Sequence, residues 1–161
     1  MNEFEFLEIL RVNQGTLVKV CTMYCTDIEA RRDLYQEIVL QLWRSFPKFR
    51  KEAKVSTWIY QVAINTAITD YRRSRKQAGH VEISEQLTQI PDTSSSAEWQ
   101  EKVQWLYQAV GRLSDAEKAI VMLYLDEKSY DEIAEIVGIT PGNVRVKMHW
   151  IQEKLRKLKT D

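Results

Sequence analysis

The chain has 161 residues, 44% hydrophobic and 29% charged, with 23 Lys and Arg against 23 Asp and Glu. That length suits one domain or two small ones, and no apolar run approaches the roughly 20 residues of a membrane-spanning helix. Five Gly and three Pro exclude a collagenous or loop-dominated chain. Two cysteines cannot build a disulfide scaffold, so a reducing, cytoplasmic setting is expected, and the acidic start Met1-Asn2-Glu3-Phe4-Glu5-Phe6 lacks the pattern of a secretion signal.

The balanced total hides a segregation of charge. Residues 44–76 carry a net +7, residues 81–135 a net −8 and residues 145–159 a net +5. Two basic blocks flanking an acidic one fit two polyanion-binding surfaces joined by a segment that avoids polyanions; solvated helix faces are the plainer reading.

In chain order, the spacing predicts a first helix from about Phe4 to Tyr24, with Leu7, Leu10, Leu17, Val20, Cys21 and Tyr24 on one side. A second follows Asp27, a good N-cap, and runs to about Trp43. Pro47 interrupts the pattern, and a third helix spans about Ser56 to Arg75. Gly79, Pro91 and Thr93-Ser94-Ser95-Ser96 mark a polar connector. Helical spacing resumes at Ala97, with Val103, Leu106 and Val110 as core positions and Trp99 and Trp105 packing beside them. The expected architecture is all-α: two small helical domains, 1–76 and 97–161, joined by a flexible acidic linker, 77–96.

Cys21 and Cys25 lie one helical turn apart and read as buried small side chains. His80 and His149 fall in different expected domains, so no metal site is expected. There is no Gly-rich phosphate loop, nucleophile elbow or acid/base pair, so neither a cofactor nor catalysis is expected.

The strongest local signal is the run Ser129 to Val144. Ser129 and Glu132 form a capping box, and Gly138 suits the left-handed close of a short helix. Thr140 then caps a second helix that begins at Pro141, where the missing N–H costs nothing. Ala134 permits a close helix crossing, and Ile133, Val137, Ile139 and Val144 supply the shared core. Short helix, three-residue turn, longer helix is the arrangement of a DNA-binding helix-turn-helix. In the second helix Val144, Met148, Ile151, Leu155 and Leu158 form one buried stripe, leaving Gly142, Val146, His149, Trp150 and Glu153 outward with Arg145 and Lys147 on the flanks. In a major groove Arg145 suits guanine and Val146 a thymine methyl, while the helix N-terminus around Thr140 and Gly142 suits a phosphate. Lys154, Arg156, Lys157 and Lys159 read as phosphate neutralisers. Upstream, Ser114 and Glu117 make a second capping box, opening a helix through about Leu125.

In the N-terminal half, taking Leu34 as the core direction turns Ala30, Ile38 and Gln41 inward and Asp33, Gln36, Leu40 and Trp43 outward. An apolar anchor inside a polar rim fits a protein-binding surface; a helix sandwiched between neighbours of its own domain fits equally. The next stretch interleaves basic and aromatic residues, among them Lys48, Phe49, Lys54, Trp58, Tyr60, Tyr71, Arg72 and Arg73, with Asn65 able to read a base edge. Aromatics stacking unpaired bases and an aromatic core with a basic rim are the two readings.

At this point the chain resembles the extracytoplasmic-function sigma factors, small two-domain promoter-specificity subunits of bacterial RNA polymerase in the sigma-70 family. Asp33 to Trp43 is similar to that family's polymerase-binding helix, Ser56 to Asn65 with Asp70-Tyr71-Arg72-Arg73 to its −10 recognition and melting segment, and Leu113 to Glu117 with the helix-turn-helix to its −35-reading domain. The resemblance implies that Asp33, Gln36, Glu37, Leu40 and Trp43 bind the clamp helices of the large polymerase subunit. It further implies that Lys54, Ser56, Thr57, Trp58, Tyr60, Asn65, Arg72 and Arg73 handle −10 DNA. Thr140, Asn143, Arg145, Val146, Lys147, His149 and Trp150 would meet the −35 element. Core RNA polymerase, promoter DNA and an anti-sigma factor are the implied partners, with no membrane insertion. Val146 stands where the family often has Ser and Trp150 where it often has Arg. A stand-alone helix-turn-helix regulator or a small helical enzyme are the other readings. The regulator leaves the Leu40/Trp43 face unexplained, and the enzyme has no catalytic constellation.

Overall fold

The computed structural model describes residues 2–49, 54–78 and 96–160, with side chains except at 71–78 and 160. It is all-α among these residues, and the chain divides into two compact units, Met1–Glu82 and Ile83–Asp161. Most of the expected linker, 79–95, lies outside the described residues, and the helix before it continues to Ala78, two residues past the expected boundary.

The first unit begins with α1 (Glu3–Val12), α2 (Gln14–Tyr24) and α3 (Ile28–Ser45). The single helix expected over Phe4–Tyr24 is thus two. At Asn13 the side-chain Nδ2 donates to the Ile9 carbonyl at 2.8 Å, and the backbone leaves helical geometry (φ −108°, ψ 16°). A short polar side chain that bonds locally competes with the helix ladder, and here it wins. The break changes the buried set: Phe6 is in the core and Leu7 is exposed, reversing the expected placement of Leu7. Asn2 caps α1, its Oδ1 accepting from the Glu5 N–H at 2.9 Å.

Asp27 stands at the start of α3 as expected, but it caps through its backbone: its carbonyl accepts from the Arg31 N–H at 2.9 Å, and its side chain makes no cap bond. Leu34, Ile38 and Leu42 form the buried stripe of α3. Gln41, expected inward, is half-buried and donates to Glu37 Oε1 at 2.9 Å instead. Phe46, Pro47 and Lys48 tighten into a 3-10 turn, and α4 (Val55–Ala78) follows. Ile59, Tyr60, Ala63, Ile64 and Ala67 bury one side of α4, which packs on α3 and α2 at the centre of the unit.

The second unit is four helices: α5 (Ala97–Gly111), α6 (Asp115–Leu125), α7 (Tyr130–Val137) and α8 (Pro141–Thr160). Every residue from Glu117 to Leu123 is buried, so α6 is the hub on which α7 and α8 pack. Both capping boxes close in both directions. Two expected core positions are corrected. Ile136 takes the buried place assigned to Val137, which is half-buried, and Trp99, in the first turn of α5, is exposed.

Among the described residues two have left-handed backbone, Gly138 (φ +83°) at the close of α7 and Glu127 (φ +61°) between α6 and α7. A side chain there strains the chain by on the order of 1 kcal/mol. Glu127→Gly is therefore expected to raise the unfolding free energy by about 0.5–1 kcal/mol, and Gly138→Ala to lower it by about 1 kcal/mol, in thermal denaturation of the full chain.

Candidate partner and nucleic-acid interfaces

Three helix faces hold the residues the sequence singles out. On α3, Asp33 and Gln36 are exposed and Glu37 is half-buried. Leu40 and Trp43 stand 40% and 46% exposed among them, too much apolar surface for a helix sandwiched between neighbours. The Trp43 ring meets the Phe6 ring edge-on, centroids 5.0 Å apart, so α1 holds the indole from one side. Glu3, Phe6 and Leu7 of α1 and Tyr35, Gln36, Val39, Leu40 and Trp43 of α3 enclose a groove of about 520 Å³. The α1 wall was not anticipated. Its signal was Asn13 followed by Gly15, which ends the first helix and frees Leu7 from the core.

On α4 the aromatics are corrected. Trp58 and Tyr60 are 8% and 1% exposed, and Thr57 is buried with them. Trp58 stacks on Phe49 at 4.7 Å and lies 6.1 Å from Phe46, so the buried indole packs among protein rings. The aromatic-core reading holds for Trp58 and Tyr60; the Tyr71 side chain lies outside the described residues. Lys54 and Asn65 are exposed and Ser56 is half-buried. Arg72 and Arg73 lie in the C-terminal part of α4, and their side chains are outside the described residues. A second groove of about 800 Å³ opens beside Lys54 and Val55 between α1 and Phe49.

On α8, Thr140 Oγ1 accepts from the Asn143 N–H at 3.2 Å, so the expected cap forms. Val144, Met148 and Ile151 are buried, with Leu155 and Leu158 half-buried. Asn143, Arg145, Val146, Lys147, His149 and Trp150 are all exposed. Two of the expected phosphate neutralisers are engaged within the unit. Lys154 Nζ donates to both Glu117 carboxylate oxygens at 2.9 Å, and Arg156 pairs with Glu153 at 2.9 Å.

Glu117 is a junction. Besides Lys154 it accepts from the Ser114 N–H at 3.1 Å, closing the α6 capping box, so one carboxylate ties the start of α6 to the far half of α8. Burial alone would raise its pKa, yet the Lys154 ammonium and the Ser114 hydrogen bonds together hold it below the ordinary carboxylate range. Cys21 and Cys25 are free, and burial above all pushes their thiols up to about 12 and about 11. They are inert packing groups. Among the described residues no three His, Cys, Asp or Glu are grouped to hold a metal, and no helix is long and apolar enough to cross a membrane.

Residues 9–77 match Sigma-70 region 2, and residues 103–149 match Sigma-70, region 4. The ECF RNA polymerase sigma factor SigW of Bacillus subtilis is 27% identical, across 94% of this chain and 87% of its own. The RNA polymerase sigma factor YlaC of the same organism is 31% identical, across 81% and 78%. In fold, the chain is similar to the sigma factor RpoE of Bartonella quintana, solved in complex with the anti-sigma factor NepR (TM-score 0.78, 19% identity, 97% of each chain). It is also similar to CnrH in complex with the cytosolic domain of CnrY (TM-score 0.71, 15% identity, 99% and 90%).

Because the folded state lowers the Glu117 pKa, its contribution is complete above the ordinary value of 4.5 and is lost as the pH falls through the folded value. The second unit of the wild-type chain is expected to lose stability on acidification below that value. The Glu117→Gln variant is expected to start about 1 kcal/mol less stable at neutral pH and to show a shallower acid loss, read by thermal unfolding.

Proposed function

The chain belongs to the sigma-70 family, as an extracytoplasmic-function RNA polymerase sigma factor, and from that premise we propose how its two units divide promoter recognition. Such a factor is a non-enzymatic initiation factor: it directs polymerase to promoters and makes or breaks no bond itself. The α3 face of Asp33, Gln36, Glu37, Leu40 and Trp43 docks on the clamp helices of the large polymerase subunit. The observation that carries this assignment is the exposure of Leu40 and Trp43 inside a polar rim, an apolar anchor that its own unit leaves partly uncovered.

On α4, Lys54, Ser56 and Asn65 meet the −10 DNA, joined by Arg72 and Arg73. Thr57, Trp58 and Tyr60 serve from within, fixing the helix that presents those side chains. Opening of the duplex is then electrostatic and mechanical: unpaired bases are held as they leave the stack. On α8, Arg145, Val146, Lys147, His149 and Trp150 face the −35 groove, while Thr140 and Asn143 sit at the helix start where a phosphate is favoured. The acidic segment between the units passes through polymerase toward the RNA exit path, repelled by DNA along its course. The neighbour RpoE was solved with the anti-sigma factor NepR, and a partner of that kind would restrain this chain by covering the α3 face. The factor works in the cytoplasm, where polymerase is.

Replacing both Leu40 and Trp43 by Ala is expected to weaken co-purification with core polymerase at least tenfold, on the scale of lost interface anchors. Binding of the variant at the wild-type level would contradict the docking assignment. Arg145→Ala is expected to weaken binding to −35 duplexes and spare scrambled ones, whereas Lys157→Ala lowers both about equally, as titrated by fluorescence anisotropy.

A further inference from the structure

The outward face of α8 carries more apolar surface than its fold requires. The buried stripe is complete without Val146 and Trp150, yet they stand 55% and 60% exposed, four residues apart on the same side of the helix. Gly142, one turn before Val146, carries no side chain at the N-terminal end of the helix, and a Cβ there would meet only Thr140 Oγ1, at 4.0 Å. The His149 ring meets Trp150 edge-on, centroids 5.7 Å apart at 70°, which orients the indole and leaves most of it bare. Arg145 and Lys147 flank this lane, so the cations that hold phosphates sit to its sides and its floor is hydrocarbon.

In the major groove the one apolar feature on a base edge is the C5-methyl group of thymine. We propose that Val146 and Trp150 form a methyl-reading lane, which makes thymine methyl groups the determinants of this chain's −35 preference. The proposal rests on the assignment of α8 to the −35 groove and adds what that helix reads there. Four residues rise about 6 Å along a helix and one base-pair step about 3.4 Å, so the two methyls lie about two steps apart. Arg145 adds a guanine contact to the flank of the lane.

The test uses the full chain bound to core polymerase. Duplexes are selected from a pool randomised across the −35 region, and each thymine of the selected element is replaced in turn by uracil, which removes the methyl and keeps the base pair. The expected result is at least one thymine whose replacement weakens binding about four-fold, the scale of one buried methyl group. In Val146→Ala the ratio of thymine-duplex to uracil-duplex affinity at that position falls to about one. In Trp150→Ala it does so at a second thymine about two steps away. Equal affinity for thymine and uracil duplexes at every position overturns the proposal. If Arg145→Ala still lowers binding of the selected over scrambled duplex in that case, the groove assignment stands and only the lane falls. If Arg145→Ala is neutral as well, both fall.

Discussion

Trp58 stacks on Phe49, Phe46 lies 6.1 Å from Trp58, Phe6 lies 5.3 Å from Phe46, and Trp43 meets Phe6 edge-on. This chain of five rings runs from the buried side of α4 through the 3-10 turn and α1 to the exposed face of α3. Rings in such contact add about 0.5–1.5 kcal/mol per pair beyond the area they bury. The rest of the first unit depends on it, because it fixes α4, the helix proposed to meet DNA, relative to α3, the helix proposed to meet polymerase. The residue types that look best suited to grip unpaired bases are spent on holding those two helices in register.

A consequence is that each unit keeps a short inventory of exposed contacts. In the first unit, the described exposed candidates are Lys54, just before α4, and Asn65 on it, with Ser56 half-covered. In the second, Lys154 and Arg156 are paired with carboxylates, and the proposed groove contacts are the exposed side chains near the start of α8. Few contacts mean weak separate binding. Mounted on one polymerase, the second contact becomes effectively intramolecular, and two weak grips combine into a selective one. The lack of any catalytic grouping in the sequence accords with this division: the large enzyme does the chemistry, and this chain chooses the place.

The second unit was the more legible in sequence. Ser114, Glu117, Ser129, Glu132, Gly138, Thr140 and Pro141 each act through backbone geometry within one helical turn, so local sequence determines them, and the helices start and stop where those residues direct. The exposed face of α8 followed from the same periodicity. The first unit was less legible because its outcome is tertiary. A hydrophobic pattern cannot tell a ring that stacks on a base from one that stacks on Phe49, and Trp58 was resolved only by its neighbours. The α1 wall of the Trp43 groove was hidden by the assumption that helical spacing runs through Asn13, where a single side-chain hydrogen bond ends the helix. The Lys154 ion pair was invisible in the sequence because its partner, Glu117, is 37 residues away in the chain.

In the proposed division of labour neither helical unit selects a promoter alone, and polymerase makes them act together. Footprinting of one promoter with the free chain, with core polymerase and with the two combined tests it most directly. The account predicts protection at both the −10 and −35 elements for the combination, and at neither for the free chain at the same concentration. Full protection of both elements by the free chain, or a combined pattern indistinguishable from core polymerase, would contradict it.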